Sequence, residues 1–508
     1  MKTKLYISLA VALAFCVSCD KFLDVVPDNR TVLDNPESVQ ELLVSAYPNA
    51  QYYHICEIMS DNASERSVTG SHSRMVLNEE MYKWQEGFQA GTGQDTPFYL
   101  WSNCYNSIAA ANQALASIAE APDPEKYRAQ KGEALVCRAY AHFILVNMFA
   151  EHYNPSTSGQ TMGIPYAEEP ENVVIKHYTR NSVAEVYQLI EKDLTEGMPL
   201  LDDKVYSVPK YHFTKAAAHA FASRFYLFKG DWDKVLEHAH AVLSGNISDR
   251  ILPLGTVAFT GAASGEYEIR YRAVEQPNIL LMIGAASWWG RDSRSSSLRY
   301  GMTVAQNTAL FTSTNVTGNS STYYRRWLNS AAGAYYMYKH YEYFKYSYPG
   351  ASTGVGYVMG AHFTIEEVLL MRAEAYVMKG GAANVDLALA DFNTLLAKRI
   401  NTGTSAFTPV TLTRFNTFYS ASTYPALSPF YDLTEEQRVL LNGILDWRRK
   451  EFMSDGIRWF DIKRFHIEVV HTFPNTNQPT MTLTGNDPRR ALQIPMEAQA
   501  FGVPANPR

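Results

Sequence analysis

Apolar residues recur at three- and four-residue intervals along most of the chain, and that spacing predicts one helix after another. Asn35-Pro36 offers an N-cap and a first-turn proline ahead of Val39, Leu42, Leu43 and Ala46. Three capping boxes open further segments: Ser182 with Glu185, Thr364 with Glu367, and Thr434 with Gln437. In each, a hydroxyl can accept from an amide of the first turn while an acid or amide reaches back to the cap. Long helices are expected near 99–120, 126–150 and 213–245.

Two regions share one plan. Ala222, Tyr226, Gly230, Trp232, Val235 and Ala239 describe a helix, a tight turn and a second helix. Arg372, Ala373, Tyr376, Gly380, Ala388 and Phe392 repeat it with a slightly longer turn. Small residues let paired helices approach, the ring after them fills the groove, and glycine permits the turn. The unit resembles a tetratricopeptide repeat of about 34 residues. The copies are scattered, so a simple solenoid is excluded; an unrelated pair of helical hairpins is the alternative. Helical periodicity fades between about 246 and 360, and again over 401–432, where Gly, Ser, Thr, Asn and Tyr dominate. The density of rings there argues for ordered loops that carry a surface.

Composition narrows the class. The chain has 508 residues, 46% of them hydrophobic, with 45 Lys+Arg against 51 Asp+Glu and a net charge of −6. That balance argues against a nucleic-acid binder. Five cysteines exclude a disulfide scaffold. At the start, Lys2 and Lys4 precede an apolar run from Leu5 to Val17 that is too short to cross a bilayer and has the form of a secretory signal. It ends in Val17-Ser18-Cys19, which resembles a bacterial lipoprotein signal; residues 1–18 would be removed and Cys19 acylated. An ordinary cleaved signal is the alternative, and Cys16 departs from the leucine the lipoprotein pattern prefers. Several acyl chains on one cysteine hold a protein durably on a membrane surface. Cys56, Cys104 and Cys137 remain, an odd number expected as small buried apolar side chains.

Late in the chain, Trp447-Arg448-Arg449-Lys450-Glu451-Phe452-Met453-Ser454-Asp455-Gly456-Ile457-Arg458-Trp459-Phe460-Asp461-Ile462-Lys463-Arg464-Phe465 resembles the signature of the SusD/RagB family, with Asp455 where Glu is common. Cys19-Asp20-Lys21-Phe22-Leu23-Asp24 with Pro27 matches that family's mature start. Arg138-Ala139-Tyr140 with Phe143 and Gly163-Ile164-Pro165, the Tyr226–Asp233 hairpin, Arg372–Tyr376 and Ile494-Pro495 match further motifs. The family's asparagine-proline-glycine ending is replaced by Asn506-Pro507-Arg508. The resemblance covers residues 19–508 as one nutrient-binding unit. It implies a mainly α, SusD-like fold of tetratricopeptide-like hairpins with irregular insertions. It also implies a lipid-anchored protein on the outer face of the outer membrane, capturing a nutrient for a SusC-like TonB-dependent transporter. The signature itself reads as structural: a helix from Thr434 ending at Gly456, aromatic packing by Trp459, Phe460 and Phe465, and arginines forked onto carboxylates such as Asp461.

Nothing in the sequence demands catalysis. No metal-protease, P-loop, nucleophile-elbow or paired-cysteine motif occurs, and no cofactor or metal is expected. His238 and His240 point to different faces of one helix. Glu57, Asp61 and Glu65 share a helical face beside Arg66 and read as solvated charge, although such carboxylates can also bind sugar hydroxyls. A glycan ligand is better supported, because indole and phenol rings cover the C–H faces of sugars while neighbouring polar groups take the hydroxyls. Trp288 and Trp289 with Arg291, Asp292 and a serine run have that mixture. Tyr82 and Trp84, Asp61, and Trp327 are further candidates. Packing beneath a loop is the alternative for each tryptophan. A peptide-binding surface lipoprotein and, less favoured, an anchored glycoside hydrolase are the rival functions.

Overall fold

A computed structural model describes residues 33–67, 74–171, 176–330, 333–420 and 424–508. Cys19 and the signal-like segment lie outside the described residues. The chain folds mainly as helices: α1 (Pro36–Leu43), α2 (Tyr53–Met59), α3 (Pro97–Glu120), α4 (Arg128–Phe149), α5 (Val183–Gly197), α6 (Lys215–Lys229), α7 (Trp232–Val242), α8 (Ile365–Lys379), α9 (Ala382–Arg399), α10 (Glu435–Glu451) and α11 (Ile457–Arg464), with shorter turns between. Asn35 caps α1 by accepting from Ser38 N at 2.8 Å, with Pro36 in the first turn. Ser182 and Thr434 form complete capping boxes. Thr364 caps α8 in one direction only, because the Glu367 carboxylate is diverted onto Arg224 at 2.8 and 2.6 Å.

The helix, turn and second helix expected within 213–245 are α6 and α7. Gly230, at φ +72°, turns α6 into α7, and its amide donates to the carbonyls of Leu227 and Tyr226. Gly380 and Gly381 do the same between α8 and α9. Consecutive helices pack side by side: α3 on α4, α4 on α5, α6 on α7, α7 on α8, and α8 on both α9 and α10. Guanidinium forks staple the layers. Arg138 grips Asp193 at 2.7 and 2.7 Å, and Arg372 grips Asp391 at 2.8 and 2.6 Å.

The stretch 246–360 is less irregular than its composition suggests. Strands β1 (Ile279–Ala286), β2 (Arg326–Asn329), β3 (Ala334–Met337), β4 (Glu342–Tyr346) and β5 (Gly354–Thr364) run through it. β1, β5 and β4 form an antiparallel sheet with β5 central, and β2 pairs with β3 as a separate hairpin. The 401–432 stretch likewise contains a helix, Leu412–Tyr419. β1 is a continuous apolar run whose partner lies some 75 residues downstream, and glycines interrupt the alternation in β5. Local periodicity is therefore weak. β5 passes through the Thr364 cap directly into α8, so the sheet is continuous with the helical stack.

The signature segment joins the two. α10 ends at Glu451, and Gly456, at φ +74°, opens α11 instead of closing α10. A Cβ at Gly456 would meet Tyr52 and Cys56 at 3.0 and 3.1 Å, so the turn is packed directly on α2. Trp447 and Trp459 are fully buried. Asp461 accepts from Arg448 at 3.0 Å and Arg464 at 2.9 Å, and Arg464 also forks onto Glu374 of α8 at 2.6 and 3.0 Å. Burial opposes ionisation of Asp461, but Arg448 and Arg464 prevail and hold its carboxyl below the usual range. Asp455 is treated alike: burial would raise it, and Arg272 and Lys339 hold it low. Both signature acids are thereby committed to ion pairs.

Glu57, Asp61 and Glu65 do not form the solvated face expected of them. α2 stops at Met59, Glu57 and Glu65 are buried, and half-buried Asp61 is forked by Arg458 at 2.9 and 2.8 Å. The three cysteines are free and buried, as expected. Burial pushes the Glu57 carboxyl up to about 7, against hydrogen bonds from Gly456 N and Asn62. Its folded value lies above the unfolded one, so its contribution is full in acid and is lost as pH rises from the ordinary carboxylate range through about 7. Glu57→Gln removes that dependence; its stability relative to wild type should rise between pH 5 and pH 8 in thermal melts. Asp461→Ala leaves two buried arginines short of a counter-charge and should cost about 3–5 kcal/mol in denaturant unfolding.

Candidate ligand-binding surface

The loop after β1 is held from three sides. Asp95, buried and at φ +65°, accepts from Ser287 Oγ at 2.6 Å and from Trp288 N at 2.7 Å. Ser287 N donates to Gly356 O on β5 at 2.9 Å, and Trp289 Nε1 donates to Ser454 O of the signature turn at 2.9 Å. Asp292 is fully buried in an ion pair with Arg74. These tethers send adjacent indoles in opposite directions. Trp289 is 4% exposed, with its ring 4.9 Å from His54. Trp288 is half-buried at the end of the sheet, where a Cβ on Gly356 would come within 3.2 Å of its ring.

The guanidinium groups of Arg74 and Arg291 lie 5.1 and 4.9 Å from the centre of the Trp288 ring, and Phe344 lies 6.2 Å away. Arg291 is exposed, donates to Glu342 Oε2 at 3.0 Å and reaches over Phe344. Phe344 meets Tyr346 edge-on at 5.0 Å. Tyr346 and, beyond the strand end, Tyr348 continue the row, 59% and 66% exposed, whereas Tyr343, 41% exposed, lies on the other face of β4 beside Tyr341. A second platform stands on the β2–β3 hairpin. Trp327 is 49% exposed and directly opposite Tyr336, with Tyr338 6.1 Å away edge-on. Rings, cations and a carboxylate in an open row suit a ligand with flat C–H faces and a hydroxyl rim.

Of the residues singled out from sequence, Trp288, Arg291 and Trp327 lie at the surface. Trp289 and Asp292 do not; they are anchors of the loop. Tyr82 and Trp84 also lie inside, in a stack that runs Trp84, His471, Tyr82, Tyr300 with centroid spacings of 4.3, 3.9 and 4.0 Å. Trp84 Nε1 donates to Met59 O at 2.8 Å, so even its polar edge is used. Asp61 is held ionised by Arg449 and Arg458 against the effect of burial, and its oxygens are occupied by those guanidiniums. His238 and His240 do face apart, one toward His219 and the other toward Tyr376. Arg74, Asp95, Glu342, Phe344, Tyr346 and Tyr336 were not anticipated individually. The ring density of 335–348 marked their neighbourhood, but only strand pairing puts that segment beside Trp288. Among the described residues no group of three or more His, Cys, Asp or Glu could hold a metal ion, and no helix is long and apolar enough to cross a membrane.

Two family models match the chain. One, described as starch-binding associating with outer membrane, covers residues 21–227, and the SusD family model covers 281–501. The chain belongs to the SusD family. The fold agrees along nearly its whole length with solved SusD relatives. A putative sugar binding protein from Bacteroides vulgatus superposes with a TM-score of 0.66 at 19% identity, over 94% of this chain and 99% of that one. A laminarin binding SusD-like protein gives 0.59 at 17% identity, over 93% and 99%. SusD-like protein P2 of Formosa agariphila is 29% identical over 150 residues, a match spanning 28% of this chain and about a quarter of that relative, 26%. At these identities the solved relatives speak for the SusD fold, while the ring surface is read from this chain's own side chains.

The opposite fates of the two neighbouring indoles give a direct check. Trp289→Ala should destabilise the protein by about 3–5 kcal/mol in denaturant unfolding, and Trp288→Ala by less than half as much.

Proposed function

We propose that this SusD-family chain is a cell-surface, glycan-binding lipoprotein that captures oligo- or polysaccharide. Anchored through Cys19 on the outer membrane, it delivers the glycan to a SusC-like TonB-dependent transporter, with a face of the helical stack docked on that partner. The single observation that carries the reading is the open row of Trp288, Phe344, Tyr346 and Tyr348 flanked by Arg291 and Glu342, with the Trp327–Tyr336 platform as a second ring surface. Support also comes from the matching starch-binding family model and from the fold relatives that bind sugar and laminarin by name. Capture followed by transfer needs no bond cleavage, and the signature acids Asp455 and Asp461, spent on buried ion pairs, offer no acid–base pair for hydrolysis.

One observation favours a second reading, peptide capture. β4 lies at the edge of its sheet, and an extended peptide could add to it as a further strand. The two ligands separate in one experiment, a glycan and oligopeptide binding screen on the chain lacking residues 1–19. Glycan binding is expected, weakened roughly tenfold or more by combining Trp288→Ala with Trp327→Ala. Peptide binding without glycan binding would transfer the function to the strand edge, and glycan affinity unchanged in the double variant would reject both ring platforms.

A further inference from the structure

Helix α10 has two differently used faces. Arg448 turns inward to Asp461, whereas Asn442, Asp446, Arg449 and Lys450, at helical spacing, floor a cleft of about 440 Å³ on the other side. None of its lining residues belongs to the ring surface described above. The facing wall includes Leu310 from a π-helical turn, Thr308–Thr312, closed by Ser313 N donating to Thr308 O at 2.8 Å. Such turns are rare and concentrate at functional sites. Arg458 and the rings of Phe418 and Tyr424 complete the lining.

The polar groups here are not balanced among themselves. Lys450 is taken by Asp446 at 2.5 Å, and Arg449 and Arg458 share Asp61, so three cations answer two carboxylates. Arg458 spends Nε and Nη2 on Asp61, and its Nη1 makes no hydrogen bond among the described residues. Asn442 is only 9% exposed, and its side-chain amide likewise has no hydrogen-bond partner among them. Neither group is among the fully buried polar atoms left without a partner, so both donors open onto the cleft, where a ligand can take the place of water. Both groups donate, and a planar carboxylate accepts from two such donors at once.

We infer that this cleft is a second ligand site, for a monosaccharide-sized molecule bearing a carboxylate. The carboxylate would be received by Arg458 and Asn442, and the ring would lie against Phe418 and Tyr424. A uronic acid has that chemistry. The site is independent of the glycan reading and survives or fails separately from it.

The test is calorimetric titration of the chain lacking residues 1–19 with D-glucuronate, D-glucose and acetate. Glucuronate binds saturably, more weakly as salt is raised, and at least about tenfold more tightly than either control. Asn442→Asp, which is isosteric but sets a like charge against the ligand, abolishes glucuronate binding; Asn442→Ala weakens it about tenfold. Both variants melt near the wild-type temperature, and Trp288→Ala binds glucuronate normally. Absence of saturable binding to wild type, or binding retained in Asn442→Asp, would overturn the assignment. Acetate binding as tightly as glucuronate would reduce the cleft to a bare anion trap, and loss of binding in Trp288→Ala would move the anion to the ring surface; either outcome rejects the site.

Discussion

The structure depends on charges that have been taken out of water and paired. Arg448, Arg464, Asp461 and Glu374 form one connected cluster between α10, α11 and α8. Arg399, fully buried, binds Glu451 at 2.7 and 2.8 Å and Glu366 at 3.0 Å. Arg224 ties α6 to Glu367 of α8 in the same way. Such pairs contribute little net stability compared with apolar packing, because desolvation offsets most of their attraction. Their value lies in geometry. A guanidinium fork accepts one orientation of one carboxylate, so each fork fixes the angle and register of the helices it joins. Removing a partner leaves a naked charge inside, and the joint fails.

That rigidity is passed to the surface through few atoms. The signature turn presents Ser454 O to Trp289, and Trp289 in turn bolts the loop whose next indole, Trp288, faces outward. Asp95 secures the same loop from the N-terminal side. β5, continuous with α8, carries β4 and its rings. The surface rings are therefore carried on a loop and strands tied to the buried frame.

The distribution of aromatic residues has two physical origins. Inside, rings such as Tyr82 and Trp84 stack on His471 and satisfy their polar edges with backbone carbonyls. Outside, Tyr343, Tyr346 and Trp327 are exposed on strands at sheet edges, and Tyr348 on the turn that follows β4. Cations accompany both sets, but on the surface Arg291 retains hydrogen-bonding capacity toward solvent, whereas interior guanidiniums such as Arg399 and Arg464 are locked onto carboxylates.

Much of the frame was legible in the residues alone. Caps at Asn35, Ser182 and Thr434, the glycine turns at 230 and 380, and the small-then-aromatic spacing of the hairpins are local signals, set by neighbours within one or two helical turns. The signature likewise declared its arginines and Asp461. What remained hidden was non-local. Thr364 looked like a full capping box, but Glu367 was claimed by Arg224, 143 residues earlier. β1 found its partner in β5 only after the chain had crossed the whole insertion. Trp288 and Trp289 are indistinguishable as letters, and the choice of which faces water was made by Asp95 on one side and Ser454 on the other. Exposure belongs to the packed molecule, because it is decided by which distant surface arrives to cover a ring.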